Sequence, residues 1–187
     1  QYTYHNAKNA ETFGVELDVK KNLDFIGLRG LSFVCNAAYI YSRVRFEEGA
    51  PERDRPLAGQ SPYLVNAGFF YQYDDKGISA SLLYNRIGKR IESVGVPMQN
   101  QDEDIPDIYE MPRNSLDLTF SKKIGKIVEI KAGIQDILNS KVEYKQFVKL
   151  TDDKGGKSER EQLIRSYRPG VDINIGAVSY THLTLPT

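Results

Sequence analysis

Cysteine occurs once in the 187 residues and histidine twice. A single thiol excludes an internal disulfide and any cysteine-based metal cluster. Two histidines, His5 and His182, leave little from which to build a hydrolytic triad, and no nucleophile signature accompanies His5. The chain is therefore expected not to be an enzyme. Charge of one sign is also lacking: 25 Lys and Arg balance 25 Asp and Glu, giving a pI near 6.9. That balance excludes the basic surface of a nucleic-acid binder. No run approaches the roughly 20 apolar residues of a membrane helix, and the mean hydropathy is −0.47. A membrane β-barrel escapes both filters, because alternating strands are never hydrophobic on average. What the chain does have is 12 Tyr and 8 Phe within a 40% hydrophobic content, too much for a disordered chain.

Seven segments alternate with period 2. Their apolar positions are Phe13 to Val19, Phe33 to Tyr41, Val65 to Tyr73, Ile78 to Tyr84, Leu116 to Phe120, Val128 to Ile134 and Val171 to Ala177, every second residue in each. None of these positions is charged. The intervening positions hold Glu16, Asp18, Lys20, Asp117, Glu129, Lys131 and Asp172, with Val34, Ile40, Phe70 and Leu83 among them. One wholly apolar face and one mostly polar or small face predict β-sheet between two different solvents. Cys35 falls on the apolar face, where it reads as a small filler.

The connections alternate in length. Residues 21–30, 74–77 and 123–126 are short; 45–62, 92–113 and 138–169 are long. A soluble sandwich has no reason to gather its long loops at one end, whereas an outer-membrane barrel has short periplasmic turns and long extracellular loops. Strands of about ten residues, rising about 3.3 Å each and tilted about 40°, cross roughly 25 Å of hydrocarbon. Tyr73 and Phe120 fall toward the short-turn end and Phe13, Tyr39, Tyr41 and Tyr84 toward the long-loop end, as interfacial girdles would. Seven strands cannot close such a barrel, and open edges are not tolerated in lipid, so further strands are expected N-terminal to Gln1. The C-terminal residues 178–187 (VSYTHLTLPT) are what GTC TCT TAT ACA CAT CTG ACG CTG CCG ACG encodes, a string resembling a transposon-based sequencing adapter. They are expected to be read-through, leaving 1–177 as the native part and His182 without function.

Several motifs, in order, carry a resemblance: Asn9 to Leu17 (NAETFGVEL), Arg55 to Tyr63 (RPLAGQSPY) with Asn66 to Gly68, Leu82 to Asn85 with Gly88, Asp136 to Asn139 (DILN), and Arg165 to Gly170 (RSYRPG) before the last alternating strand. Together they resemble the C-terminal barrel segment of TonB-dependent outer-membrane receptors. The departure is the end, where that family has an aromatic-terminated strand. The resemblance implies an all-β, partial antiparallel transmembrane β-barrel: about seven C-terminal strands of a plugged barrel of roughly 22. It implies import of a scarce nutrient (iron chelate, corrinoid, oligosaccharide or peptide) across the bacterial outer membrane. The partners would be outer-membrane lipid and lipopolysaccharide, the nutrient, a surface lipoprotein, and the TonB complex acting through upstream parts. No cofactor or metal is implied.

The loops supply the candidate ligand residues Arg53, Arg55, Tyr63, Tyr109 and Arg113, aromatic and guanidinium groups able to stack on or pair with a ligand. Residues 59–63 read as a ligand contact or, more simply, as a turn into a strand, with Pro62 where no ladder donor is needed. The clusters Glu47-Glu48, Glu52 to Arg55 and Asp102 to Asp104 read as solvated surface rather than cation sites. Asp152 to Gly156 reads as a hairpin tip between extensions 142–150 and 159–167, with a short helix over 157–164 as the other option. Two further readings stay open: a soluble all-β binding or structural module, and an outer-membrane barrel enzyme or adhesin.

Overall fold

The computed structural model describes residues 6–50, 52–96, 98, 104–125, 127–151 and 156–179. His5, His182 and most of the 152–156 tip lie outside them. The strands are β1 (Asn9–Asn22), β2 (Leu31–Arg45), β3 (Tyr63–Tyr73), β4 (Ile78–Ile87), β5 (Arg90–Ser93), β6 (Ile108–Glu110), β7 (Arg113–Ile124), β8 (Val128–Gln135), β9 (Val142–Thr151), β10 (Lys157–Tyr167) and β11 (Asp172–Ser179). The chain is all-β and antiparallel.

The seven segments read from alternation form one sheet, in the order β1-β2-β3-β4-β7-β8-β11. It stays open, with β1 and β11 as its edges. The ladder of β11 runs through Val178↔Glu129 and Ser179↔Val128; residues beyond Ser179 lie outside the described set.

Register puts the apolar positions on a single face, because directly paired residues of an antiparallel ladder point the same way. Leu17 pairs with Ala37, and Ala37 with Val65. Farther along, Leu82 pairs with Leu118, Leu118 with Ile134, and Ile134 with Ile173. That face is bare: Val15 is 75% and Ile175 79% exposed. The opposite face is hydrogen-bonded. Asn36 donates to Glu16 at 2.8 Å, Asn85 to Asn66 at 2.6 Å, and Ser79 and Ser121 share a bond of 2.7 Å. Among the described residues the buried hydrophobics are Val44, Ile91, Val142 and Tyr144, all at the long-loop end. Among the described residues, none on the apolar face of the seven-stranded sheet is a buried hydrophobic.

Both ends follow from the connections. The short links between β1 and β2, β3 and β4, and β7 and β8 lie at one end; the three long excursions leave from the other. Gly77 shows why the second turn is tight: its φ is 58°, and a Cβ there would sit 2.8 Å from the Cβ of Lys123. The long connections are not irregular loops. The second and third build a second sheet, β10-β9-β6-β5, and the first is pinned by the bridge Val44↔Arg55. Residues 157–167 are strand, not helix, paired along β9 with one bulge between Leu163 and Arg165. β5 and β6, four and three residues long, are too short for alternation to reveal them.

Candidate ligand-binding cleft

The three long excursions clasp one another. The antiparallel bridge Val44↔Arg55 folds the 46–62 loop back on the end of β2. Its Gly59 N–H donates to the Ile91 carbonyl on β5 at 2.8 Å. β6 joins β5 to β9, so the β4–β7 and β8–β11 excursions share one sheet. Ile91 on β5 and Val142 and Tyr144 on β9 are buried where these elements meet, and Ile91 is only 2% exposed. Burial of such side chains supplies about 1.5–3 kcal/mol each, enough to fix loops that alternation alone would leave free.

Between the clasped loops lies a cleft of about 430 Å³. Arg53, Asp54 and Arg55 come from the first loop, Lys89, Asp104, Asp107 and Tyr109 from the second, and Phe147, Lys149 and Glu159 from the β9–β10 hairpin. Its walls hold both signs of charge. Arg53 Nη1 lies 2.5 Å from Asp104 Oδ2 and ties the first loop to the second. Asp104 also accepts the Met98 N–H at 2.7 Å; that bond first, then Arg53, holds its carboxyl below the ordinary range. Asp107 accepts the Gly95 N–H at 2.7 Å and the Tyr109 hydroxyl at 3.3 Å. Burial, with Asp107 beside it, pushes the Tyr109 phenol up. The Tyr109 and Phe147 rings meet edge to face at 5.8 Å, and the Lys89 ammonium stands 4.6 Å and 4.8 Å above them. A cation over two rings, beside a row of held carboxylates, suits a ligand that is polar and bears charge of both signs.

Of the five residues read from sequence, three line this cleft: Arg53, Arg55 and Tyr109. Arg55 stacks its guanidinium 5.5 Å above Phe46. The other two lie elsewhere. Tyr63 pairs with Tyr39 on the apolar face, where its hydroxyl accepts from Arg86 Nε at 3.3 Å. Arg113 pairs with Ile87 on the polar face and bonds Asp136. Residues 59–63 act as a turn: Gly59 has φ 78°, buried Ser61 donates to the Tyr63 carbonyl at 2.8 Å, and the Pro62 carbonyl accepts the Ile40 N–H. Sequence reasoning missed Lys89, Phe147 and Glu159. Phe147 shares its side of β9 with Glu143, Lys145 and Lys149, so alternation does not single it out.

The chain is 25% identical over 152 aligned residues to Transferrin-binding protein A of Haemophilus influenzae, an alignment covering 74% of this chain and 16% of that protein. It thus spans a small part of the relative's length. No family model matches the chain. No solved structure matches it.

Proposed function

We propose that the chain is the C-terminal part of a TonB-dependent outer-membrane receptor barrel that captures and imports a scarce nutrient, with the cleft as part of its extracellular ligand site. The carrying observation is the bare apolar face shared by seven register-locked strands, with every long excursion at one end. A soluble module would have to leave that face in water. A bilayer covers it at no such cost, and the polar face then turns to a lumen or plug. The similarity to a protein named for binding transferrin supports a nutrient, and specifically an iron-bearing, ligand. A ligand of that size would meet several loops at once, and a cleft built from three loops with charges of both signs fits it. In this reading the plug, the energy-coupling segment and the remaining strands belong to other parts of the polypeptide, and lipopolysaccharide and a surface lipoprotein are partners at the cell exterior.

Deleting residues 47–58 or 96–108 in the intact receptor, then measuring binding and uptake of the cognate ligand by whole cells, tests the reading. Loss of binding with the barrel still assembled is expected. Unchanged binding and uptake for both deletions refute the cleft as a ligand site.

A further inference from the structure

The apolar face carries a feature that lipid tails do not explain. At its long-loop end a polar belt crosses four neighbouring strands: Tyr39 on β2, Tyr63 on β3, Tyr84 and Arg86 on β4, and Asn114 on β7. All share the apolar face by register, Tyr39 pairing with Tyr63, Tyr84 with Leu116, and Arg86 with both Val65 and Asn114. Arg86 is the centre. Its Nη1 donates to Asn114 Oδ1 at 2.7 Å and its Nε to the Tyr63 hydroxyl at 3.3 Å, while the Tyr84 hydroxyl donates to the same Asn114 oxygen at 2.8 Å. Gly88 makes room for this: a Cβ there would stand 2.8 Å from the Tyr63 ring.

Other arginines near this end have carboxylates, among them Arg90 with Glu110 and Arg113 with Asp136. Arg43 pairs with Asp54 and Arg45 with Glu11. Among the described residues Arg86 has only neutral partners. Its guanidinium is thus aimed and held, its charge unmatched, on a face otherwise built for hydrocarbon. Position resolves the conflict. Arg86 is eight residues along β4 from Ile78, about 26 Å at ~3.3 Å per residue. With a tilt of ~40° that is roughly 20 Å above the short-turn end, in the outer part of the ~25 Å layer and well past its midplane, where a lipid-face cation bears only part of the midplane cost.

Resting on the barrel reading above, we infer that Arg86, set by Tyr63 and Asn114 and flanked by Tyr39 and Tyr84, is a seat for a headgroup phosphate of the outer-leaflet glycolipid, lipopolysaccharide. The guanidinium fork matches phosphate geometry, and the tyrosines lie along the sugar–acyl boundary where amphipathic rings settle.

The test uses the intact receptor purified from outer membranes, with glycolipid phosphate per barrel measured after detergent washes. Arg86→Gln is expected to retain about tenfold less, the factor for one lost charge-assisted contact. Asn114→Ala, which keeps the charge but frees the guanidinium, is expected to fall in the same direction. Lys20→Gln, on the polar face at the short-turn end, is expected to match the parent. Adding back lipopolysaccharide should restore the phosphate only where Arg86 is present. Restoration to the same level by phosphatidylglycerol vesicles or inorganic phosphate overturns the glycolipid assignment. An assembled barrel that keeps its glycolipid without Arg86 overturns the seat alone. A chain absent from the outer-membrane fraction overturns the barrel reading and the seat with it.

Discussion

Arg113, at the start of β7, is bonded through Nη2 to Oδ2 of Asp136, the first residue past β8, and the two side chains are 27% and 12% exposed. Asp136 sits at a φ of 52°, a conformation that non-glycine residues rarely adopt. It is held there from several sides: its N–H donates to Asp117 Oδ1 at 2.8 Å, and its carbonyl accepts the Asn139 N–H at 2.7 Å. Asn139 then accepts Arg168 Nη1 and the Gly170 N–H, at 2.6 Å and 3.2 Å. Both roots of the β9–β10 hairpin are therefore tied to one point above β7 and β8.

Arg113→Ala removes one partner of this mostly buried pair and leaves the Asp136 carboxylate without its cation. Loss of about 2–3 kcal/mol is expected, below the ~3–5 of a fully buried pair because both groups keep some water. Urea unfolding of the detergent-solubilised receptor reads the loss. Faster proteolysis within residues 142–167 locates it. An unchanged hairpin cleavage rate would show that the root is held by other contacts.

Leu17 and Glu16 are sequence neighbours on opposite faces. Leu17→Arg places a charge mid-strand on the apolar face, at about 2–4 kcal/mol in a bilayer. Glu16→Arg gives up a single exposed bond to Asn36. Heat-modifiable barrel in outer-membrane fractions should fall sharply for the first and little for the second. Equal levels would mean that the apolar face meets water.

Acid should loosen the cleft before it unfolds the sheet. The Asp104 carboxyl is held below its ordinary value near 3.8, first by the Met98 N–H and then by Arg53. A depressed folded pKa contributes stability that is present above the ordinary value and lost as pH falls through the lower folded one. The link between the first and second loops should therefore weaken below about pH 4. Asp104→Asn should show the looser loop at neutral pH and a flatter response to acid. Protease access to residues 46–62, followed across that range in both proteins, gives the answer.

Gly88→Leu forces a side chain into the space occupied by the Tyr63 ring and the Ser61 hydroxyl, each 2.8 Å from where its Cβ would lie. A cost of about 1–3 kcal/mol is expected from overpacking, with Tyr63 pushed off Arg86. Gly88→Ala should show a smaller shift of the same sign in urea midpoint.

Positions and faces of the seven strands in the main sheet were determined by the sequence itself. Side-chain direction in a strand repeats every two residues, so Leu17, Leu82 and Ile134 declare their face without reference to any partner. Loop lengths also alternate in the bare sequence, and antiparallel pairing turns that alternation into two unlike ends. What met at the long-loop end was decided only by tertiary structure. Arg53 and Tyr109 converge there because β6 docks on β9 and Gly59 docks on Ile91, contacts between segments far apart in the chain. Tyr63 and Arg113 looked equivalent to them in sequence, each at the edge of a loop. Pairing register sent Tyr63 outward to Arg86 and Arg113 across to Asp136, because the face of a strand's first residue is set by the ladder it joins and not by the loop it leaves.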